Sequence, residues 1–156
     1  MKFVSRDQIG EVVDKNKAVG KTLVFTNGCF DIIHAGHVRY LSEAKKLGDC
    51  LIVGLNSDRS VQELKGPTRP LNHQEDRAEV VAALAAVDYV VIFDERTAES
   101  LVNEVKPDIY VKGGDYRIQD IPEAKIVASN GGKTILIPEV PGRSSTNIIK
   151  KITETT

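Results

Sequence analysis

Short apolar runs rich in valine and isoleucine recur along this chain, and between them lie longer stretches whose apolar positions are spaced three and four apart. That alternation predicts parallel strands covered by helices on both faces of the sheet. TLVFTN, CLIVGLN, DYVVIF, DIYVKG and KTILIPE supply five strands. Between the first two, HVRYLSEAKKLG sets Val38, Leu41, Ala44 and Leu47 on one face and ends at Gly48, which predicts a crossover helix closed by a left-handed glycine C-cap. NHQEDRAEVVAALAAV predicts a helix capped by Asn72 with Glu75 in its first turn, and TAESLVNEV and SSTNIIKKI predict two more. At the front, Ser5 and Gln8 have capping-box spacing, so residues 1–20 are expected to form a helical extension ahead of the first strand. With no internal repeat and no low-complexity linker, the expectation is one α/β domain over residues 1–156. Its core would be a Rossmann-like, doubly wound, five-stranded parallel sheet with right-handed crossovers.

Composition changes this picture only at its margins. A chain of 156 residues with 41% hydrophobic content can bury a substantial core, roughly two thirds of its unfolded surface. Its 21 basic and 22 acidic residues give a net charge of -1, so no global field favours nucleic acid and any anion must be held by a local basic site. No apolar run approaches the roughly 20 residues that span a membrane. MKFVSRDQIG has no apolar stretch after its basic start, so no leader peptide is expected. Cys29 and Cys50 lack CxxC spacing, and a reducing cytoplasm is the expected compartment.

In doubly wound folds, ligands bind at the carboxyl ends of the strands. The segments found there are NGCFDIIHAGH, NSDRS with KGPTRP, KGGDY and PGRSST, which would bring Gly, Lys, Arg, His, Ser and Asp to one rim. Two tempting signatures fail in context. GKT at 20–22 and at 132–134 lacks the P-loop's earlier glycine and precedes strands rather than helices. NGCFDIIHAGH does not give GxGxxG, which argues against hydride transfer on a dinucleotide. His34 and His37 then need a reason. Their i, i+3 spacing puts both rings on one side of a helix start, with Ala35 and Gly36 between them. Three readings are open: a phosphate clamp using the helix N-terminus and imidazole N–H donors, a zinc site, or capping and packing histidines. A zinc site needs a third ligand, and the only other histidine, His73, lies beyond another strand.

His-Ala-Gly-His at 34–37 matches the HxGH signature of the nucleotidylyltransferases, and GCFDIIHAGH resembles their cytidylyltransferase-like branch. TNGCFDIIHAGHVRYLSEAKKLGD, IVGLNSD, RPLNHQEDRAEVVAALAAVDYVV, PDIYVKGGDY and STNIIKKI together resemble the adenylyltransferase domain family of bacterial ADP-heptose synthases, over about residues 5–152. The resemblance implies AMP transfer from ATP to D-glycero-β-D-manno-heptose 1-phosphate by in-line attack on the α-phosphorus, giving ADP-heptose and pyrophosphate. It also implies a stand-alone domain without the sugar kinase that precedes it in bifunctional members, a separate heptose 7-phosphate kinase supplying the substrate, and a homodimer. Mg²⁺ is expected to arrive on the ATP phosphates, with no metal site built by the protein alone and Asp31 as one contact. A second reading within the class is cytidylyl transfer to glycerol 3-phosphate or another alcohol phosphate. One from outside it is a catalytically silent nucleotide-binding module.

The same resemblance assigns His34, His37, Lys65 and Arg143 to catalysis. Thr26, Asn27, Gly28, Cys29, Phe30, Lys112, Gly113, Gly114 and Asp115 would bind the nucleotide, together with Arg143, Ser144, Ser145 and Thr146. The chemistry suits these roles: GRSST brings a cation, hydroxyls and a helix N-terminus to the β- and γ-phosphates, and Lys65 offers a mobile cation. The family's second signature carries Ser-Thr-Thr where this chain has Ser-Ser-Thr. The paired glycines of KGGDY allow close approach to a base or ribose, with Asp115 as acceptor. Asp31, Asn56, Ser57 and Asp58 offer acceptors to a sugar, and Arg77, unfavourable to the dipole in a first turn, is expected to reach for the acceptor's phosphate or for Glu75. Cys29 has no neighbouring base in sequence and reads as a packed thiol.

Overall fold

The computed structural model describes residues 2–139 and 143–155. Strands β1 (Phe3–Val4), β2 (Leu23–Gly28), β3 (Cys50–Asn56), β4 (Tyr89–Phe93), β5 (Ile109–Gly113) and β6 (Lys133–Ile137) form one sheet in the order β1-β4-β3-β2-β5-β6. Every pairing is parallel. Alternate residues of the central strands serve opposite faces. Leu23, Phe25, Cys50 and Ile52 pack with Ile9 and Val13 of α1 (Ile9–Ala18), Leu101 and Val105 of α5 (Glu99–Val105) and Val127 of α6 (Pro122–Ser129). Val24, Leu51, Val53 and Leu55 pack with Leu41 and Ala44 of α2 (Ala35–Lys45) and with Ala78 and Val81 of α4 (Gln74–Ala82). Helices α3 (Asp58–Lys65) and α7 (Ser145–Thr155) complete the set.

The sheet has six strands where five were expected. The extra one, β1, pairs Phe3 and Val4 with Val90 and Val91 at the sheet edge. Two residues carry no readable alternation, and only pairing makes them a strand. The N-terminal extension is therefore a strand followed by a helix. Gln8 Oε1 accepts from the Ser5 N–H at 3.2 Å, but residues 6–8 form a turn and α1 begins at Ile9 without a side-chain cap. Gly48 is not left-handed; it is a point of close approach, where a Cβ would lie 2.7 Å from Val24 Cγ2 and 2.9 Å from the Thr22 carbonyl oxygen. His73 rather than Asn72 takes the N-cap position of α4, without a side-chain cap hydrogen bond, and the Asn72 amide instead donates to the Asp31 carbonyl at 2.6 Å. Helices α3 and α6 were not foreseen.

The order places β2 between β3 and β5, which is the topological switch point where a crevice opens in such sheets. Pairing shows how it opens. β2 and β3 stay in register from Leu23↔Cys50 to Gly28↔Leu55, whereas β2 and β5 pair only at Val24↔Ile109 and Phe25↔Tyr110. Beyond Phe25 the two strands part. Tyr40 of α2 fills the gap, its hydroxyl 2.6 Å from Thr26 Oγ1 and donating to the Val111 carbonyl at 3.1 Å, while Thr26 Oγ1 donates to the same carbonyl at 2.9 Å.

Candidate active site

A cleft of about 350 Å³ occupies that opening, within the size range of ordinary ligand pockets. One wall is the loop from β2 to α2, built around an unusual cap. His34 is the N-cap of α2 in extended conformation; its Nδ1 accepts from the Gly36 N–H at 3.1 Å, and His37 Nδ1 accepts from the His34 N–H at 3.2 Å. The two rings stand 3.9 Å apart, with Phe30 5.3 Å from His37. Gly36 is required by this cap rather than by a ligand: a Cβ there would lie 2.8 Å from His34 Cε1 and 3.0 Å from Arg143 Cβ. Phe30 adopts φ 48°, which turns its ring under Gly28.

This cap settles the tautomers. A ring whose Nδ1 accepts a hydrogen bond while neutral carries its proton on Nε2, so each histidine keeps one N–H donor. Both stay neutral near pH 7. Burial, then the cost of protonating His37 beside the His34 ring and the Lys65 charge, pushes His37 down to about 4. Burial and the nearby Arg143 lower His34 as well. The pair therefore offers two directed donors without charge, and the charge must come from elsewhere. Arg39, Lys65, Lys112 and Arg143 line the same cleft. The N-terminus of α7 joins them, because Ser145 Oγ donates to the Ile32 carbonyl at 2.9 Å and Ser144 Oγ caps the Asn147 N–H at 3.0 Å. Two helix N-termini and four cations thus face one cavity, an arrangement that attracts a polyanion.

Of the residues singled out from sequence, the cleft gathers Asn27, Gly28, Cys29, Phe30, Asp31, His34, His37, Lys65, Lys112, Gly113, Arg143, Ser144, Ser145 and Thr146. Gly142 of the GRSST segment lies outside the described residues. Thr26 sits behind the wall on Tyr40, and Gly114 and Asp115 are not part of the lining. Gly114, at φ 103°, instead turns the chain and donates its N–H to the Ile137 carbonyl. The Cys29 thiol is pushed up by burial, in keeping with a packed rather than reactive group.

The sugar-side assignments change most. Arg77 is 2% exposed and its nitrogens go to protein acceptors: the carbonyls of Asn72, Cys29 and Asn56 at 3.0, 2.6 and 2.9 Å, and Asp58 Oδ1 at 2.8 Å. It does not bond Glu75 and is not part of the cleft lining. Asn56 donates to Ser60 Oγ, Ser57 caps α3 and Asp58 holds Arg77, so this segment builds the fold instead of lining the cavity. Asp31 lines the cleft, but its oxygens accept from Arg69 Nε and from the Leu71 and Asn72 N–H groups at 2.9–3.0 Å. Burial alone would raise its pKa; those N–H groups and the Arg69 guanidinium outweigh it and hold the carboxyl below its ordinary value. That occupied carboxylate is a poor donor for a metal ion. Among the described residues no group of three or more His, Cys, Asp or Glu is placed to hold one.

Sequence reasoning missed Arg39, Tyr40, Glu43, Tyr116, Ile137, Pro138 and Glu139, all of which line the cleft. Arg39 and Glu43 carried a usable signal, being four residues apart on α2. Tyr116 lies with its ring centroid 5.2 Å from Lys112 Nζ, and nothing in a tyrosine after a Gly-Gly-Asp turn marks it for that place.

Comparison with known proteins agrees with this geometry. The cytidylyltransferase-like family model matches residues 25–151. The bifunctional protein HldE of Syntrophotalea carbinolica is 51% identical over 147 residues, covering 94% of this chain and 30% of that protein. Its counterpart in Methylobacillus flagellatus is 54% identical over 133 residues, covering 85% of this chain and 27% of that one. The chain thus spans under a third of the length of these relatives. Among solved structures, a lipopolysaccharide core biosynthesis protein from Thermoplasma volcanium aligns with a TM-score of 0.65 at 30% identity, covering 78% of this chain and 98% of that one. No helix among the described residues is long and apolar enough to cross a membrane. With the HxGH loop at the switch point and a family model spanning both signatures, the chain belongs to the cytidylyltransferase-like family and is a nucleotidyltransferase.

Proposed function

We propose that this domain transfers AMP from ATP to D-glycero-β-D-manno-heptose 1-phosphate. An oxygen of the sugar phosphate attacks the α-phosphorus in line, the bond to the β-phosphate breaks, and pyrophosphate leaves with ADP-heptose as the other product. The observation that carries the reading is the reciprocal histidine cap, which leaves two neutral Nε2–H donors beside the N-terminus of α7. Phosphoryl-type transfer needs positioning and charge neutralisation rather than a covalent nucleophile. His34 and His37 supply donors for the charge that gathers on the α-phosphate, while Arg143, with Ser144 and Thr146 at the start of α7, suits the departing pyrophosphate. Mg²⁺ carried on the nucleotide would neutralise phosphate charge with few protein ligands, as that ion commonly does. Lys65, at the end of α3, adds a cation near His37 and Cys29.

The sugar is supported by the roughly half-identical HldE relatives and by the lipopolysaccharide core protein among solved structures. In this reading a kinase acting on heptose 7-phosphate supplies the acceptor. The test is pyrophosphate release with Mg²⁺, the heptose 1-phosphate, and ATP or CTP in parallel. Release with ATP and not CTP is expected. Release with CTP only, or with glycerol 3-phosphate in place of the heptose, would replace this reading with cytidylyl transfer to an alcohol phosphate, and none with either would leave a silent nucleotide-binding module.

A further inference from the structure

We propose that Arg69 is the guanidinium that binds the acceptor's phosphate, from the Cys29–Asp31 wall of the cleft; this rests on reading the cleft as a nucleotidyl-transfer site for a phosphate acceptor. Two arginines stand near this wall and their nitrogens are used differently. Arg77 gives Nε, Nη1 and Nη2 to protein acceptors. Among the described residues the Arg69 side chain makes one hydrogen bond, from Nε to Asp31 Oδ2 at 2.9 Å, and its Nη2 is buried with no hydrogen-bond partner. Among the described residues it is the one buried side-chain nitrogen or oxygen in that condition. Folded proteins rarely leave a buried donor unpaired, and none of the protein's own described groups pairs with Arg69 Nη2.

Location identifies the acceptor's chemistry. Asp31, which orients Arg69, lines the cleft with Cys29 and Lys65; Arg69 lies behind Asp31, outside the lining itself, and its side chain retains 13% exposure. At the helix end of the histidine loop, Arg143 packs against Gly36 and Ser145 holds the Ile32 carbonyl. The cations are thus divided along the loop, Arg143 beside His34 and Gly36, Lys65 and Arg69 beside Cys29. In-line transfer uses such a division, since the entering and leaving oxygens lie on opposite sides of the α-phosphorus. Arg143 suits the leaving pyrophosphate, and Arg69 with Lys65 suits the entering phosphate. A guanidinium matches a phosphate in a way an ammonium cannot, because its fork presents parallel N–H donors. Asp31 has its own charge taken up by Arg69 and two backbone N–H groups, so it orients the fork without leaving a bare carboxylate beside the anion.

The experiment compares Arg69→Lys with the wild type in two ways. Steady-state kinetics are expected to show KM for the heptose 1-phosphate raised about tenfold or more, with the calorimetric Kd for Mg·ATP unchanged within about twofold. Nitrogen NMR, with the Arg69 Nε–H assigned by its loss in the variant, is expected to show that resonance shifting when inorganic phosphate is added to protein saturated with a non-hydrolysable ATP analogue. Turnover by the wild type with an unchanged KM in the variant and no phosphate-induced shift would overturn the assignment and make a water the partner of Nη2. A parallel loss of ATP affinity and thermal midpoint would overturn it too, as general loosening of the loop. No turnover with the sugar, but a shift with phosphate, would keep the anion site and sink the reaction; no turnover and no shift would sink both.

Discussion

His34 and His37 are held by the backbone through the same atoms that decide their chemistry. Because each Nδ1 is an acceptor in the α2 cap, each ring presents Nε2–H, and neither has to lose a proton to serve a phosphate. Replacing either with alanine is expected to slow turnover on the order of 100 to 1000 fold, as for lost oxyanion donors, and to cost about 1 kcal/mol of stability through the cap. Pyrophosphate release and chemical denaturation of both variants check this; normal turnover in folded variants would refute it. The depressed pKa of His37 also has a sign. Between its ordinary 6.5 and about 4, the unfolded chain binds a proton that the folded chain refuses, so stability falls as pH drops through that window and is fully present above it. Thermal midpoints at pH 7 and pH 4.5 should therefore drop more steeply for the wild type than for His37→Asn, and equal drops would contradict the shift. At this scale the sequence displayed the histidines and Arg143 plainly, because their spacing is local. It hid the fates of Asp31, Asp58 and Arg77, whose partners lie far along the chain or belong to the backbone.

Helix starts explain why some elements were legible and others were not. The α2 cap depends on Gly36, where no side chain fits beside the His34 ring. Gly36→Ala gains helix propensity yet should lose at least about tenfold in turnover by displacing His34 or Arg143, a modest share of the expected loss on deleting a donor. Turnover of the variant beside its circular dichroism decides this, and unaltered activity would show that the cap is not needed. Helix α3 has Ser57 as N-cap and Lys65 in its last turn, and α6 has Pro122 at its first position and Gly131 after its end, local signals that went unread. Both are eight residues long, too short for their apolar spacing to stand out from a loop. β1 gave no local signal at all, since its identity rests on Val90 and Val91 across the sheet edge.

For the whole molecule, the alternating pattern was enough for the parallel sheet and its two covered faces, because burial on both sides forces long valine and isoleucine runs. Strand order and the parting of β2 from β5 could not be read there, and these create the cleft. Arg77 joins the carboxyl ends of β2 and β3 to the starts of α3 and α4. Arg77→Met leaves three carbonyls without donors, so an unfolding free energy lower by about 3 kcal/mol or more is expected from urea denaturation. A loss under about 1 kcal/mol, with a selective rise in acceptor KM, would instead return Arg77 to the ligand. The most direct test of the account as a whole follows oxygen. With the non-bridging phosphate oxygens of the sugar 1-phosphate labelled with heavy oxygen, phosphorus NMR of the products is predicted to show the label retained in the nucleotide sugar, including its bridge to the AMP phosphorus, and none in pyrophosphate. Release of AMP with a sugar 1-triphosphate, of ADP with a sugar 1-diphosphate, or label in pyrophosphate, would contradict attack on the α-phosphorus and the role given to the cleft.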